Sequence, residues 1–415
     1  MIKIYCKPCQ FSVIALNTNK FYQILINRIK NYSFVLLGFS IPISISLTYI
    51  ILFLLLALFV LDRDYQKIKF LKKEKWLLAL LLIFVLYILG SIDGQFSSNT
   101  KEVFKRLSVW LFLPIFFLMD LKKESYSKGI FAFLTSVFFM VIMSVFNQFG
   151  LTAHIFEYLP FLFKSSQLLE LYPSTHLYNY HNVLISFSLI ICFYLAKKLA
   201  GPKIYLLILF IILLVFSLFS EAGRAGQIVF ILFLTFYSID LAIKKKRESI
   251  YMIFFLIVTI LISYNHSPNF NYRVNELVLK FQSAEKNNDH RYNFWKSTLN
   301  KICEKPAKNL IGHGTGSWRS EMNESFDYFN SIDENHITPH NNYLYILFEI
   351  GILGFIALSY FFYTMYYKLK TKAHEFFSRN LVVSYTALML FDSYMVIFII
   401  SIAYIYLFII SVYYE

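Results

Sequence analysis

The stretch Thr338-Pro339-His340-Asn341-Asn342-Tyr343-Leu344 puts a histidine where a long polar segment gives way to an apolar run reaching Leu358. Pro339 suits the first turn of a helix, where its missing N–H would be unpaired anyway, and Thr338 can cap the amides ahead of it. That places His340 in the first helical turn. The positive end of a helix favours neutral imidazole over imidazolium, and neutral imidazole can take a proton. A histidine in such a place also serves as a plain capping or interface residue, so its chemistry has to be argued from its company.

That company is cationic. Arg224 lies in Ser220-Glu221-Ala-Gly-Arg224-Ala-Gly226, where an apolar span meets the outer surface. A charge so near hydrocarbon is costly, which marks a functional group, an ion pair with Glu221 or a snorkelling side chain. The small neighbours Ala222, Gly223, Ala225 and Gly226 leave room for a bulky head group against the backbone. Arg291 opens Arg291-Tyr-Asn-Phe-Trp295, and Lys105, Arg106, His181, Arg319, His336 and Glu349 complete the polar groups at this level. Gly312-His-Gly314-Thr-Gly316-Ser-Trp318 lacks the strand-to-helix setting of a phosphate loop and reads as a tight turn whose amides are available to a ligand. Arginine forks suit a diphosphate, and a histidine suits removal of a hydroxyl proton. No carboxylate or histidine set has metal-ligand spacing, and acidic residues are too sparse in the spans for a proton-coupled transporter. The expectation is glycan transfer from a lipid diphosphate carrier, with no metal or other cofactor.

These residues need a membrane to position them. The 415-residue chain is 58% hydrophobic and 20% aromatic, with mean hydropathy +0.56, too apolar for a soluble domain of its size. The net charge of +14 sits in short Lys/Arg clusters between apolar spans, the pattern of cytoplasmic loops rather than of a nucleic-acid surface. Cys6-Lys-Pro-Cys9 lies in a solvated tail, and Cys192 and Cys303 are isolated, so no disulfide framework or zinc site is implied. The fold class expected is an all-α polytopic membrane protein with about 12 transmembrane helices. Residues 1–30 form a cytoplasmic tail and 31–264 hold spans one to nine, starting with a hairpin broken near Pro42. Residues 265–339 form a large loop between spans nine and ten, and 340–415 hold spans ten to twelve, the last two broken near Asp392-Ser393, with a short cytoplasmic C-terminus. The large loop carries nine Lys or Arg and nine Asp or Glu. Its neutrality suits the extracytoplasmic face. Two amphipathic helices are expected in it, one through Val274, Leu277, Val278 and Phe281, the other through Tyr292, Trp295, Leu299 and Ile302.

Pro339-His340-Asn341-Asn342-Tyr343-Leu344, followed by Glu349-Ile-Gly351-Ile-Leu-Gly354, resembles the His motif of the bacterial O-antigen ligase superfamily, which also holds O-antigen polymerases and protein O-oligosaccharyltransferases. The segment around Arg224, the Arg291-x3-Trp295 element, the Gly312–Gly316 turn and the span count are similar too. The resemblance implies a C-type, inverting, metal-independent glycosyltransferase of the bacterial inner membrane with its active site facing the periplasm. It would move an O-antigen chain from undecaprenyl diphosphate to the lipid A core sugar. His340 would be the general base, and Arg224 and Arg291 would bind the diphosphate with help from Arg319; His336, Asn341 and Glu349 are further substrate-binding candidates. This chain departs from the family at Thr338, where a histidine is common and His336 stands two residues earlier, and at Glu221-Ala-Gly, where a serine precedes the arginine. A polymerase or a protein O-oligosaccharyltransferase would share donor and base and differ in acceptor. A lipid-linked oligosaccharide flippase would share spans and arginines and would not need the histidine.

Overall fold

A computed structural model of the chain describes residues 9–62, 68–93, 97–148, 178–220, 223–244, 246–266, 271–272, 275, 290–323, 338–369 and 375–413. Among them all regular structure is helical. Six helices are long and apolar enough to cross a membrane: Ile45–Asp62, Lys75–Ile92, Lys123–Phe146, Pro202–Ser220, Arg224–Ile243 and Asn342–Lys368. Shorter apolar helices cover Tyr180–Ala196, Ile253–Ile262 and Phe398–Tyr413. The protein is thus a helical membrane protein, but twelve uninterrupted spans do not form among the described residues.

The interruptions have local causes. Helices α1 (Cys9–Ile43) and α2 (Ile45–Asp62) fold back on each other across Pro42 and Ser44, and Lys30 of α1 meets Asp62 of α2 at 2.5 Å. After α3 (Lys75–Asp93), the expected fourth span is divided into α4 (Ser98–Leu107), a 3-10 turn at Ser108–Leu111 and α5 (Phe112–Leu118). Pro114 lacks the N–H that would close a helical turn there. Helices α6 (Lys123–Gln148), α7 (Tyr178–Ala196), α8 (Pro202–Ser220), α9 (Arg224–Lys244) and α10 (Lys246–His266) follow the apolar runs closely.

Beyond them come α11 (His290–Glu304) and the short α12 (Ser317–Asn323), then α13 (Asn342–Lys368), α14 (Glu375–Leu388) and α15 (Phe398–Tyr413). The second expected loop helix is α11, with its buried face shifted: Phe294, Thr298 and Ile302 are buried, whereas Tyr292 and Leu299 are exposed. The expected helix through Val274 and Phe281 lies outside the described residues.

Helix α15 is apolar all round and buried along nearly its whole length, the mark of a central helix. Helix packing inside a membrane relies on close fit and polar contacts, and both are present. The Tyr406 hydroxyl donates to Phe34 O at 3.1 Å and occupies space that Gly38 of α1 and Gly129 of α6 leave open. Tyr385 and Tyr404 stack at 4.1 Å beside Trp110, whose indole N–H donates to Met395 O at 2.9 Å.

Helix α13 sets the long axis of the site. At about 1.5 Å per residue it exceeds the roughly 30 Å hydrocarbon thickness. Its last residue, Lys368, meets Glu74 at 2.5 Å, so α3 runs antiparallel to it and the basic ends lie far from His340.

Candidate active site

The cap of helix α13 lies three residues later than expected. Its cap is Asn341, not Thr338: Asn341 Oδ1 accepts from the N–H groups of Tyr343 and Leu344 at 3.0 and 3.1 Å. His340 therefore precedes the helix and does not sit in its first turn. Asparagine wins because its amide can also bridge outward, donating through Nδ2 to Leu390 O at 3.2 Å. His340 has φ +52°, and among the described residues it is the one non-glycine residue with positive φ. Such a backbone persists only when its surroundings hold it. Here Trp295 Nε1 donates to Pro339 O at 3.0 Å on one side, and Asn342 N–H donates to Met389 O at 2.8 Å on the other.

The turn that accepts from Asn341 and Asn342, residues 389–393, supplies the partner sequence reasoning missed. His340 Nδ1 lies 3.0 Å from Asp392 Oδ1, with 22% of the histidine side chain and 11% of the aspartate side chain exposed. Burial alone would raise the Asp392 carboxyl. The hydrogen bond and charge of His340, the Ser393 N–H at 2.7 Å and the charge of Arg291 outweigh it and hold the group below its ordinary value. An ionised carboxylate on Nδ1 fixes the ring's orientation and stabilises the imidazolium that forms when the ring takes a proton.

Helix α11 brings Arg291 and Trp295 to this point from the large loop, one turn apart on one face. Trp295 anchors Pro339, Phe294 lies 6.0 Å from the His340 ring, and Arg291 acts on Asp392 and Tyr394. Tyr180, at the start of α7, is within reach of the Asp392 charge as well. His340, Asp392 and Arg291 thus converge.

The glycine turn and the Glu349 motif form a second unit. At Gly351 α13 breaks (φ 70°, ψ −166°), which frees backbone groups on both sides. The loop fills them in register: Ile352 and Leu353 N–H donate to Asn309 and Leu310 O at 2.8 and 3.2 Å, while Phe348 and Glu349 O accept from His313 and Gly314 N–H at 2.8 and 3.1 Å. A Cβ at Gly351 would stand 2.5 Å from Gly312 N and Leu310 O. The buried Glu349 carboxylate accepts from Gly316 N–H at 2.7 Å and Trp318 N–H at 3.3 Å. The turn's amides at His313, Gly314 and Gly316, expected to be open to a ligand, are therefore consumed within the fold. Glu349 and Asn341 likewise sit in structural hydrogen bonds.

Residues 208–359 match the O-antigen ligase family. Over this segment, less than half of the chain, the protein is similar to O-antigen ligases. No curated protein matches the sequence. The matched segment spans Arg224, Arg291, Arg319, His340, Asn341 and Glu349, while Asp392 lies beyond its end. His336 also falls within its bounds but outside the described residues. Within the matched segment, Arg224 is the first residue of α9 and is half-buried. The glycines beside it do not leave room for a head group. Asn182 of α7 fills that space, with Nδ2 donating to Gly223 O at 2.8 Å, and Ser186 Oγ donates to Gly226 O at 2.7 Å. Arg319 lies in α12, next to Trp318, whose indole N–H donates to Thr298 of α11 at 3.0 Å.

Asp392 had a signal in the sequence: it is the one charged residue between Asn380 and Tyr413. An ionisable residue in so apolar a stretch marks a site by default.

Proposed function

We propose that the protein transfers a glycan from undecaprenyl diphosphate to the lipid A core oligosaccharide, the ligation step of lipopolysaccharide assembly, at the periplasmic face of the bacterial inner membrane. The pairing of His340 with Asp392 beside Arg291, in a chain matching the O-antigen ligase family, supports this reading. The acceptor hydroxyl attacks the anomeric carbon of the donor sugar. Its proton passes to His340, the new C–O bond forms as the bond to the diphosphate oxygen breaks, and that electron pair leaves with undecaprenyl diphosphate. Attack opposite the leaving group inverts the anomeric carbon. Arg291 and Arg224 receive the diphosphate, and Arg319 assists. Asp392 holds the imidazole, while Asn341 and Glu349 position the backbone around it. No metal takes part in this scheme.

The topology that accompanies this reading has twelve spans. The six long apolar helices are joined by α1, the α4–α5 pair, α7, α10, α14 and α15, and both termini are cytoplasmic, on the side of the Lys/Arg clusters. The test is transfer by purified protein from an undecaprenyl-diphosphate glycan, offered lipid A core or a second donor molecule. Product on lipid A core that disappears in His340→Ala is the expected result. Product only on the second donor would make the protein a polymerase, and no His340-dependent product with either would sink the transferase reading.

A further inference from the structure

A further arginine stands on a different element that packs against the site. Arg106 is in the last turn of α4, whose buried face is Thr100, Val103 and Leu107. Thr100 Oγ1 donates to Thr315 O at 2.9 Å, and α4 also packs on the Tyr394–Val396 turn just after Asp392, so this short helix is docked against both units of the site. The guanidinium charge acts on Tyr49 of α2, Tyr180 of α7 and Tyr345 of α13, and Tyr180 is the residue that Asp392 also reaches. Arg106 is 34% exposed, which leaves it accessible.

Its protein partner uses little of it. Nε donates to Glu102 Oε1 at 2.9 Å, an i,i+4 pair. Pairs of this kind contribute little to stability, and guanidinium has five N–H donors arranged to meet two oxygens of a phosphate at once. A bond made through Nε leaves the edge carrying the two terminal nitrogens for another anion.

We propose that Arg106 is a further binding residue for the anionic diphosphate headgroup of the lipid-linked donor, approaching the His340 site from α4 while Arg291 approaches from α11. The proposal rests on the glycan-transfer reading for the identity of the ligand, and its test does not depend on transfer. Full-length protein in detergent is titrated with radiolabelled undecaprenyl diphosphate, comparing wild type with Arg106→Gln, Arg106→Lys and Glu102→Gln, each checked for a folded monodisperse peak. Arg106→Gln should weaken binding about tenfold or more, as loss of a charge-assisted bond does. Arg106→Lys, which keeps the charge and loses the fork, should fall between. Glu102→Gln should bind as wild type does or more tightly. Equal losses in Arg106→Gln and Glu102→Gln would reduce the pair to a helix brace and overturn the proposal, as would unchanged binding in Arg106→Gln or no binding by wild type. Binding that depends on Arg106 in a protein with no transfer activity would uphold the proposal and remove the transfer reading.

Discussion

Two of the described histidines meet a carboxylate through Nδ1 at the same 3.0 Å, in different surroundings. His313 contacts Glu321, lies flat on Phe348 at 4.2 Å and 14°, and has a side chain only 1% exposed. Its Nε2 is buried without a hydrogen-bond partner among the described residues, and Lys305 also holds Glu321, at 3.3 Å. Burial pushes His313 below the ordinary imidazole value, against the pull of Glu321. His340 contacts Asp392 at the junction of α11, α13 and the 389–393 turn, is 22% exposed and has Arg291 nearby. Residue types and separation do not tell a structural pair from a reactive one. Access and surrounding charge do: a proton taken by His313 would put an N–H where no described residue accepts it, whereas in the proposed transfer His340 exchanges one with a substrate.

The largest expected effect separates the two pairs outright. His340→Ala should lower transfer by about 10²–10⁴-fold, the usual share of a general base, while His313→Ala should leave the rate per folded molecule within a few-fold; initial rates on purified protein decide it. Next comes the break that carries the His313 loop. Gly351→Ala forces a Cβ into positive φ and into Leu310 O, and should cost about 2–4 kcal/mol of stability. Thermal melts should drop while kcat of the surviving protein holds; a normal melt would show that the interlock is not what keeps the loop in place.

Asp392→Asn should be milder, about 10–100-fold in kcat with little change in donor KM, since it acts through the orientation and charge of His340. A rise in KM alone would instead make Asp392 a binding residue. The smallest effect is on pH. Because the folded His313 value is depressed, the unfolded chain binds that proton first on acidification, so stability is lost as pH falls through the imidazole range and is present above it. Glu321, also held low, adds a loss at lower pH. Melts between about pH 7.5 and pH 5.5, which bracket the ordinary imidazole value, should fall for wild type and fall less for His313→Gln. Equal slopes would place the acid sensitivity elsewhere.

Much of the helical frame was legible because apolar runs and Lys/Arg clusters are local signals; α7 to α10 follow the runs closely. The start of α13 was misplaced because Thr338 and Asn341 are both good caps, and only the Leu390 carbonyl, supplied by a distant turn, favours Asn341. The glycine turn reads as open to a ligand because its use by the broken helix joins residues far apart in the chain. Gly223 and Gly226 misled for the same reason, their space being taken by Asn182. Asp392 was visible as a break in an apolar hairpin, yet nothing local pairs it with His340 across 52 residues.

The central claim is that His340 and Asp392 act as one unit, and a double-mutant cycle on transfer tests it most directly. Wild type, His340→Ala, Asp392→Asn and the double variant are compared in kcat with the same donor and acceptor. The double variant should be no slower than His340→Ala, because Asp392 has nothing left to hold. Losses that multiply, or a His340→Ala enzyme that transfers at the wild-type rate, would contradict the account.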